Sequence, residues 1–272
     1  YEPVPLPGEP MLADGTDPRY ARCEEAWQRM KGATPLIAAM HPMNPDHIHE
    51  ELELMGPDFA SYNFEWISYI PGWRDHYYAS DQTPHYEYMK TCLKLLQWKR
   101  GKKRWVLKCP QHLEQLPVLK ATFPDAFLAI THRDPVSVIQ SAITMNTYGQ
   151  RLSRKRIDAE RTLNYWADRV DHLLRACVRD RHVWPAAQSL DVPFHEFMAD
   201  DLAMAEKILT KADLPPTAQT RAELAAFMEE HARGKEGRIK YNLARDFGIT
   251  PEELRKRFAY YFEAFPAKPE AR

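Results

Sequence analysis

Apolar positions in the middle of this chain alternate between two rhythms. Residues 104–109, Arg-Trp-Val-Leu-Lys-Cys, form a short apolar run with the β-formers Trp105 and Val106, after a charged turn that begins at Gly101. Pro110 stops that run and suits the first turn of a helix. Leu113, Leu116, Leu119 and Phe123 then follow at spacings of three, three and four, which is one helical face, and Pro124-Asp125 breaks it. Residues 126–131 are a second apolar run. Asp134-Pro135 reads as a cap followed by a proline at the first helical position, and Val136, Ile139 and Ile143 give the next apolar face. Two strand-length runs joined by a helix of about a dozen residues predict a βαβ unit, with parallel strands and a right-handed crossover.

The same reading places further helices over residues 17–30, 46–55, 83–98, 200–211, 218–231 and 251–262, and a third strand over 189–194. The strongest periodicity lies in 158–180. There Leu163, Trp166, Val170, Leu173, Leu174 and Cys177 keep the three-four rhythm, while Arg161, Arg169, Arg175 and Arg179 read as a solvated basic face. Residues 59–78 hold eight aromatic side chains, a density that fills a core or lines an apolar pocket; the core reading is preferred. Residues 1–16, rich in Pro and Gly, read as an extended lead-in to a single domain over 1–272.

Composition narrows the class. A chain of 272 residues with 44% hydrophobic residues supports a sizeable core. A net charge of −1 offers no global case for nucleic acid or an anionic membrane, so any anion site must be built from local basic groups. No apolar run approaches the roughly 20 residues a membrane-spanning helix needs. Cys23, Cys92, Cys109 and Cys177 are far apart, which reads as free thiols and a cytoplasmic location. Beside Lys108, Cys109 reads as a small packed residue rather than a reactive thiolate.

Open parallel sheets bind ligands beyond the carboxyl ends of their strands. On the predicted topology the first strand ends in Lys108, with His112 one turn beyond, and the second ends in His132-Arg133, just before a helix start. Free N–H groups and a positive dipole end make an adjacent arginine a good phosphate clamp. Arg133-Asp134-Pro135, with Ser141 eight residues after the arginine, resembles the 3′-phosphate-binding signature of PAPS-dependent sulfotransferases, where PAPS is 3′-phosphoadenosine 5′-phosphosulfate. The stretch from Trp105 to Leu116 is similar to the L-K-x-P-x-H-L segment of the bacterial-type branch of that superfamily. Weaker echoes occur, in the same order, at 41–51, 192–201 and 233–248.

The resemblance implies an α/β, P-loop-NTPase-like sulfotransferase fold, a central parallel sheet flanked by many helices. It implies transfer of a sulfuryl group from PAPS to a hydroxyl or amine on a small-molecule or glycan acceptor, without a metal. Such transfer rests on positioning and electrostatics, as phosphoryl transfer does. By the resemblance, His112 is the base, with Glu50 or Glu51 as fallback, and Lys108 is the transition-state cation. Arg133 and Ser141 hold the 3′-phosphate, Phe194 stacks on adenine, and the Arg233-Gly234-Lys235 loop closes over the nucleotide. One departure stands out: the glycine- and serine-rich loop that cradles the 5′-phosphosulfate in the family has no counterpart among the ten glycines here. The expectation is a chain that lacks the first strand and its loop. Two rivals remain: a catalytically incomplete module that binds a nucleotide or partner, and a metal site built from His41, His47, His49, Glu50 and Glu51. Against the metal, His47 and His49 on a helix would point about 200° apart.

Overall fold

A computed structural model describes residues 18–41, 43–45, 47–232, 234, 235, 237 and 239–270. The lead-in read over 1–16 lies outside them. The protein is a mixed α/β structure, mostly helical, around a small parallel sheet. Strand β1 (Leu128–His132) pairs in parallel with β2 (Ser189–Pro193), in a register that sets Ile130 against Asp191 and His132 against Pro193. Alternation explains β1: Ile130 and His132 are buried, whereas Ala129 and Thr131 face outward.

The connection from β1 to β2 carries two helices, Pro135–Gln150 and Ala159–Asp180. Both begin as their sequences dictate. Asp134 caps the first by accepting a hydrogen bond from the Val136 N–H, and Asp158 caps the second by accepting from Arg161. All six apolar residues of the three-four pattern between Leu163 and Cys177 are buried. Together with Ile139 and Ile143, Tyr86 and Met89 of the Thr83–Arg100 helix, Leu116, and Phe258, they form one contiguous core.

Several expectations are corrected. Residues 104–109 form no strand: the run is extended at Cys109 and exposed along its length up to Lys108, with Val106 85% exposed. Strand character needs a neighbouring strand, and among the described residues this run has no ladder partner. The parallel pair is therefore β1 with β2, not residues 104–109 with 126–131. The helix expected after Pro110 is broken in two, a 3-10 turn at Pro110–Glu114 and a helix at Leu116–Thr122. Pro117 has no N–H to donate back to residue 113 and restricts Leu116, which accounts for the break. Within 46–55 only Glu51–Met55 winds, as a 3-10 turn; Asp46 lies outside the described residues. Residues 251–262 divide into Pro251–Lys256 and Ala259–Ala264, with a turn that drives Phe258 fully into the core.

The basic face of the Ala159–Asp180 helix is not uniformly solvated. Arg169 is completely buried, giving Nε to Glu65 at 2.6 Å and both terminal nitrogens to Glu114 at 2.6 and 2.7 Å. Burial opposes the charge on Arg169, and the two carboxylates more than restore it. Within residues 59–78, Tyr62 and Tyr77 are buried as the core reading requires, while Phe59 stands 76% exposed with a left-handed backbone, φ 56°.

Candidate active site

Two groups of the expected residues are brought together by the fold. The first surrounds His112. The Pro110–Glu114 turn presents its imidazole between two partners: Nδ1 lies 2.8 Å from Tyr86 Oη and Nε2 lies 2.5 Å from Glu51 Oε1. The other oxygen of Glu51 accepts the backbone N–H of Lys108 at 2.8 Å, and the Lys108 ammonium pairs with Glu50. Lys108, His112, Glu50 and Glu51 therefore form one constellation.

The electrostatics of the constellation follow from its hydrogen bonds. Burial pushes the Glu51 carboxyl up, but the His112 hydrogen bond and charge, with the backbone donors, hold it below the usual carboxylate range. Glu51 is thus an anion that orients the imidazole. Burial raises the Tyr86 phenol well above its ordinary range, so Tyr86 stays neutral and holds the ring by hydrogen bonding. Burial also raises the Cys109 thiol to about 12, which makes it a packed thiol, as the sequence reading preferred. All four cysteines are free.

The second group lies at the carboxyl edge of the sheet. Because His132 pairs with Pro193, the next residues of the two strands, Arg133 and Phe194, emerge side by side. The guanidinium sits 4.2 Å above the centre of the Phe194 ring. Arg133 directs Nε and Nη2 into the carboxylate of Glu270, at 2.7 and 3.0 Å. Beneath it, buried His132 bridges Tyr261 Oη and Asp191 Oδ1, each at 2.8 Å, and Arg181 clamps Asp191 from the other side. Burial raises the Asp191 carboxyl, yet the His132 hydrogen bond and Arg181 bring it down to about 2. Asp134 is a hub: one oxygen caps the following helix, and the other accepts from Arg255 and from the Glu270 N–H.

Other expected residues stand apart. Ser141 is exposed two turns into the Pro135–Gln150 helix. Arg233 lies outside the described residues. Gly234 and Gly237 take the left-handed backbone that favours glycine, and Lys235 bonds within its own turn, to the Glu230 carbonyl, rather than to Arg133 or Phe194. The three histidines of the metal reading do converge, because 47–50 is not helical: the His41, His47 and His49 rings lie 6.1 to 6.4 Å apart. Burial, the other two imidazoles and Lys108 lower the His41 pKa. Among the described residues, however, no set of His, Cys, Asp and Glu side chains is arranged to hold a metal ion. An open cleft of about 350 Å³ lies elsewhere, among Tyr69, Arg74, Arg161 and Tyr165, and includes none of the expected residues.

Three participants escaped the sequence reading. Tyr86 has the spacing of an ordinary core residue, and nothing in it announces a histidine partner. Glu270 and Arg255 come from segments distant in sequence from Arg133, and no local spacing connects them. No helix among the described residues is long and apolar enough to cross a membrane.

The chain matches the sulfotransferase family model over residues 4–219. Its structure is similar to that of sulfotransferase STF1 from Mycobacterium tuberculosis H37Rv, with a TM-score of 0.75 and 25% identity, covering 90% of this chain and 63% of that one. It shares the fold of sulfotransferase STF9 from Mycobacterium avium, with a TM-score of 0.80 and 24% identity, covering 98% of this chain and 69% of that one. The chain thus spans less than two thirds of the length of the M. tuberculosis protein. No curated protein sequence matches it.

Proposed function

This chain belongs to the sulfotransferase family, and we propose that it moves a sulfuryl group from PAPS to a hydroxyl or amine of a small-molecule or glycan acceptor. The observation that carries the proposal is the placement of Arg133 over Phe194 at the carboxyl edge of the sheet. A guanidinium that already gives two hydrogen bonds to a carboxylate has the geometry to grip two oxygens of a phosphate. The neighbouring ring suits a purine face. These residues fit the adenosine 3′-phosphate end of the donor. When bound, the donor supplies an activated sulfuryl group on a phosphosulfate anhydride.

The chemistry on the protein side falls to the other constellation. The acceptor oxygen or nitrogen forms its bond to sulfur as the sulfur–oxygen bond to the 5′-phosphate breaks, leaving adenosine 3′,5′-bisphosphate, and the acceptor gives up one proton. In this reading the proton passes to His112, which Glu51 orients. Lys108 opposes the negative charge gathering on the bridging oxygen. Ser141 is assigned with Arg133 to the 3′-phosphate, and the Arg233-Gly234-Lys235 loop to closing over the nucleotide. A cytoplasmic location and a single sulfotransferase-like domain complete the proposal.

The test is calorimetric titration of the full chain with adenosine 3′,5′-bisphosphate, together with release of that product from PAPS in the presence of a panel of hydroxyl acceptors. Arg133→Ala is expected to weaken nucleotide binding by about 100-fold, the loss of a charge-assisted, two-pronged contact. Equal affinity in that variant removes the clamp. Binding without any transfer favours the alternative, a sulfotransferase-like module that holds the nucleotide but does not turn it over.

A further inference from the structure

The anion-binding face of Arg133 is filled by the protein itself. After the Ala259–Ala264 helix the chain returns to the edge of the sheet, where Phe265 and Ala267 are buried and Phe265 stacks on His132 at 4.2 Å. Three residues beyond Ala267, Glu270 meets Arg133. Both carboxylate oxygens accept hydrogen bonds from the guanidinium, at 2.7 and 3.0 Å. The main chain of Glu270 is held as well: its N–H donates to Asp134 Oδ2 at 2.8 Å and its C=O accepts from Arg255 at 3.3 Å. Neither side chain of the ion pair is deeply buried, with 29% of Arg133 and 21% of Glu270 exposed, so the pair can open without stranding a charge.

This geometry copies what a phosphate would do, with two oxygens in the fork of one arginine. Buried Phe265 and Ala267 keep the carboxylate tethered within a few residues of its target, so its effective concentration there is high. We propose that Glu270 is an internal competitor for the anion site, and that a nucleotide phosphate and the Glu270 carboxylate exchange on Arg133 while the Phe265 anchor stays in place. The proposal rests on the reading of Arg133 as a phosphate clamp. A phosphate carries more negative charge than a carboxylate and displaces it once nucleotide is abundant. Below that level the closed form lowers the apparent affinity in proportion to its population.

The experiment compares wild type, Glu270→Gln and Arg133→Ala by titration with adenosine 3′,5′-bisphosphate, and follows amide hydrogen exchange over residues 265–270. Glu270→Gln keeps the shape and removes the charge; it is expected to bind the nucleotide about three- to tenfold more tightly than wild type. Saturating nucleotide is expected to speed exchange at the Glu270 amide in wild type, because its bond to Asp134 is lost. If Glu270→Gln binds no more tightly while Arg133→Ala still loses affinity, the competition is overturned and the clamp stands. Continued protection of residue 270 in the saturated wild-type complex overturns it as well. If Arg133→Ala binds as wild type does, the clamp falls first and the competition falls with it.

Discussion

His112 Nε2 and Glu51 Oε1 stand 2.5 Å apart across 61 positions of sequence, and Tyr86 closes the other side of the same ring. A carboxylate on one ring nitrogen and a neutral phenol on the other fix the tautomer and the plane of the imidazole. Glu51→Gln retains the shape but removes the anion that holds the ring in place. The transfer rate with PAPS is expected to fall by about 100-fold or more in that variant and in His112→Ala. Tyr86→Phe removes one hydrogen bond, worth about 1 kcal/mol, and is expected to cost about fivefold. A Tyr86 role in positioning the ring further predicts that the acid limb of the pH–rate profile, the limb a general base sets, moves in Tyr86→Phe; a fivefold loss with an unmoved profile would assign Tyr86 to packing alone.

The Glu65–Arg169–Glu114 cluster is a separate liability. All three side chains are sealed from solvent, and Tyr165 adds a hydrogen bond to Glu65. Arg169→Leu strands two buried carboxylates and is expected to lower stability by about 3–5 kcal/mol, seen as an earlier urea midpoint. The triple variant Arg169→Leu, Glu65→Gln, Glu114→Gln is expected to recover part of that loss, since no unpaired charge then remains. A single variant as stable as wild type would show that the cluster is solvated in solution.

Asp191 sets an acid limit on the sheet. Its carboxyl lies at about 2 in the folded chain against an ordinary value of 3.8, so the unfolded chain binds the proton more tightly. Its contribution is fully present above pH 3.8 and is lost as the pH falls toward 2. With a third of the side chain exposed, screening leaves this contribution on the order of 1 kcal/mol. Unfolding free energies measured between pH 5 and 2 are expected to fall less steeply in Asp191→Asn than in wild type. Equal slopes would mean that His132 and Arg181 do not hold Asp191 as an anion.

Legibility followed the range of each interaction. Caps and periodic faces are local, so Asp134, Asp158 and the Leu163–Cys177 stripe were readable, and so was β2. Residues 104–109 misled because β-propensity describes fit to a pleated surface, and among the described residues no strand lies beside them to supply one. Arg169 misled because periodicity sorts side chains by type and cannot see that two glutamates, 104 and 55 positions away, wait on the inner side of the helix. Motif spacing picked out Lys108, His112 and Arg133. What surrounds them, Tyr86 and Glu270 above all, is a matter of tertiary contact, and nothing in a linear pattern signals it.

The pairing of His132 with Pro193 has a consequence for how such a chain can change over generations. Gain or loss of one residue within either strand slides one partner past the other and separates the guanidinium from its ring. The long excursion between the strands carries no such constraint, because its length does not enter the register. Insertions and deletions should accumulate there among related chains, while the count of residues from each strand to its Arg133 or Phe194 stays frozen.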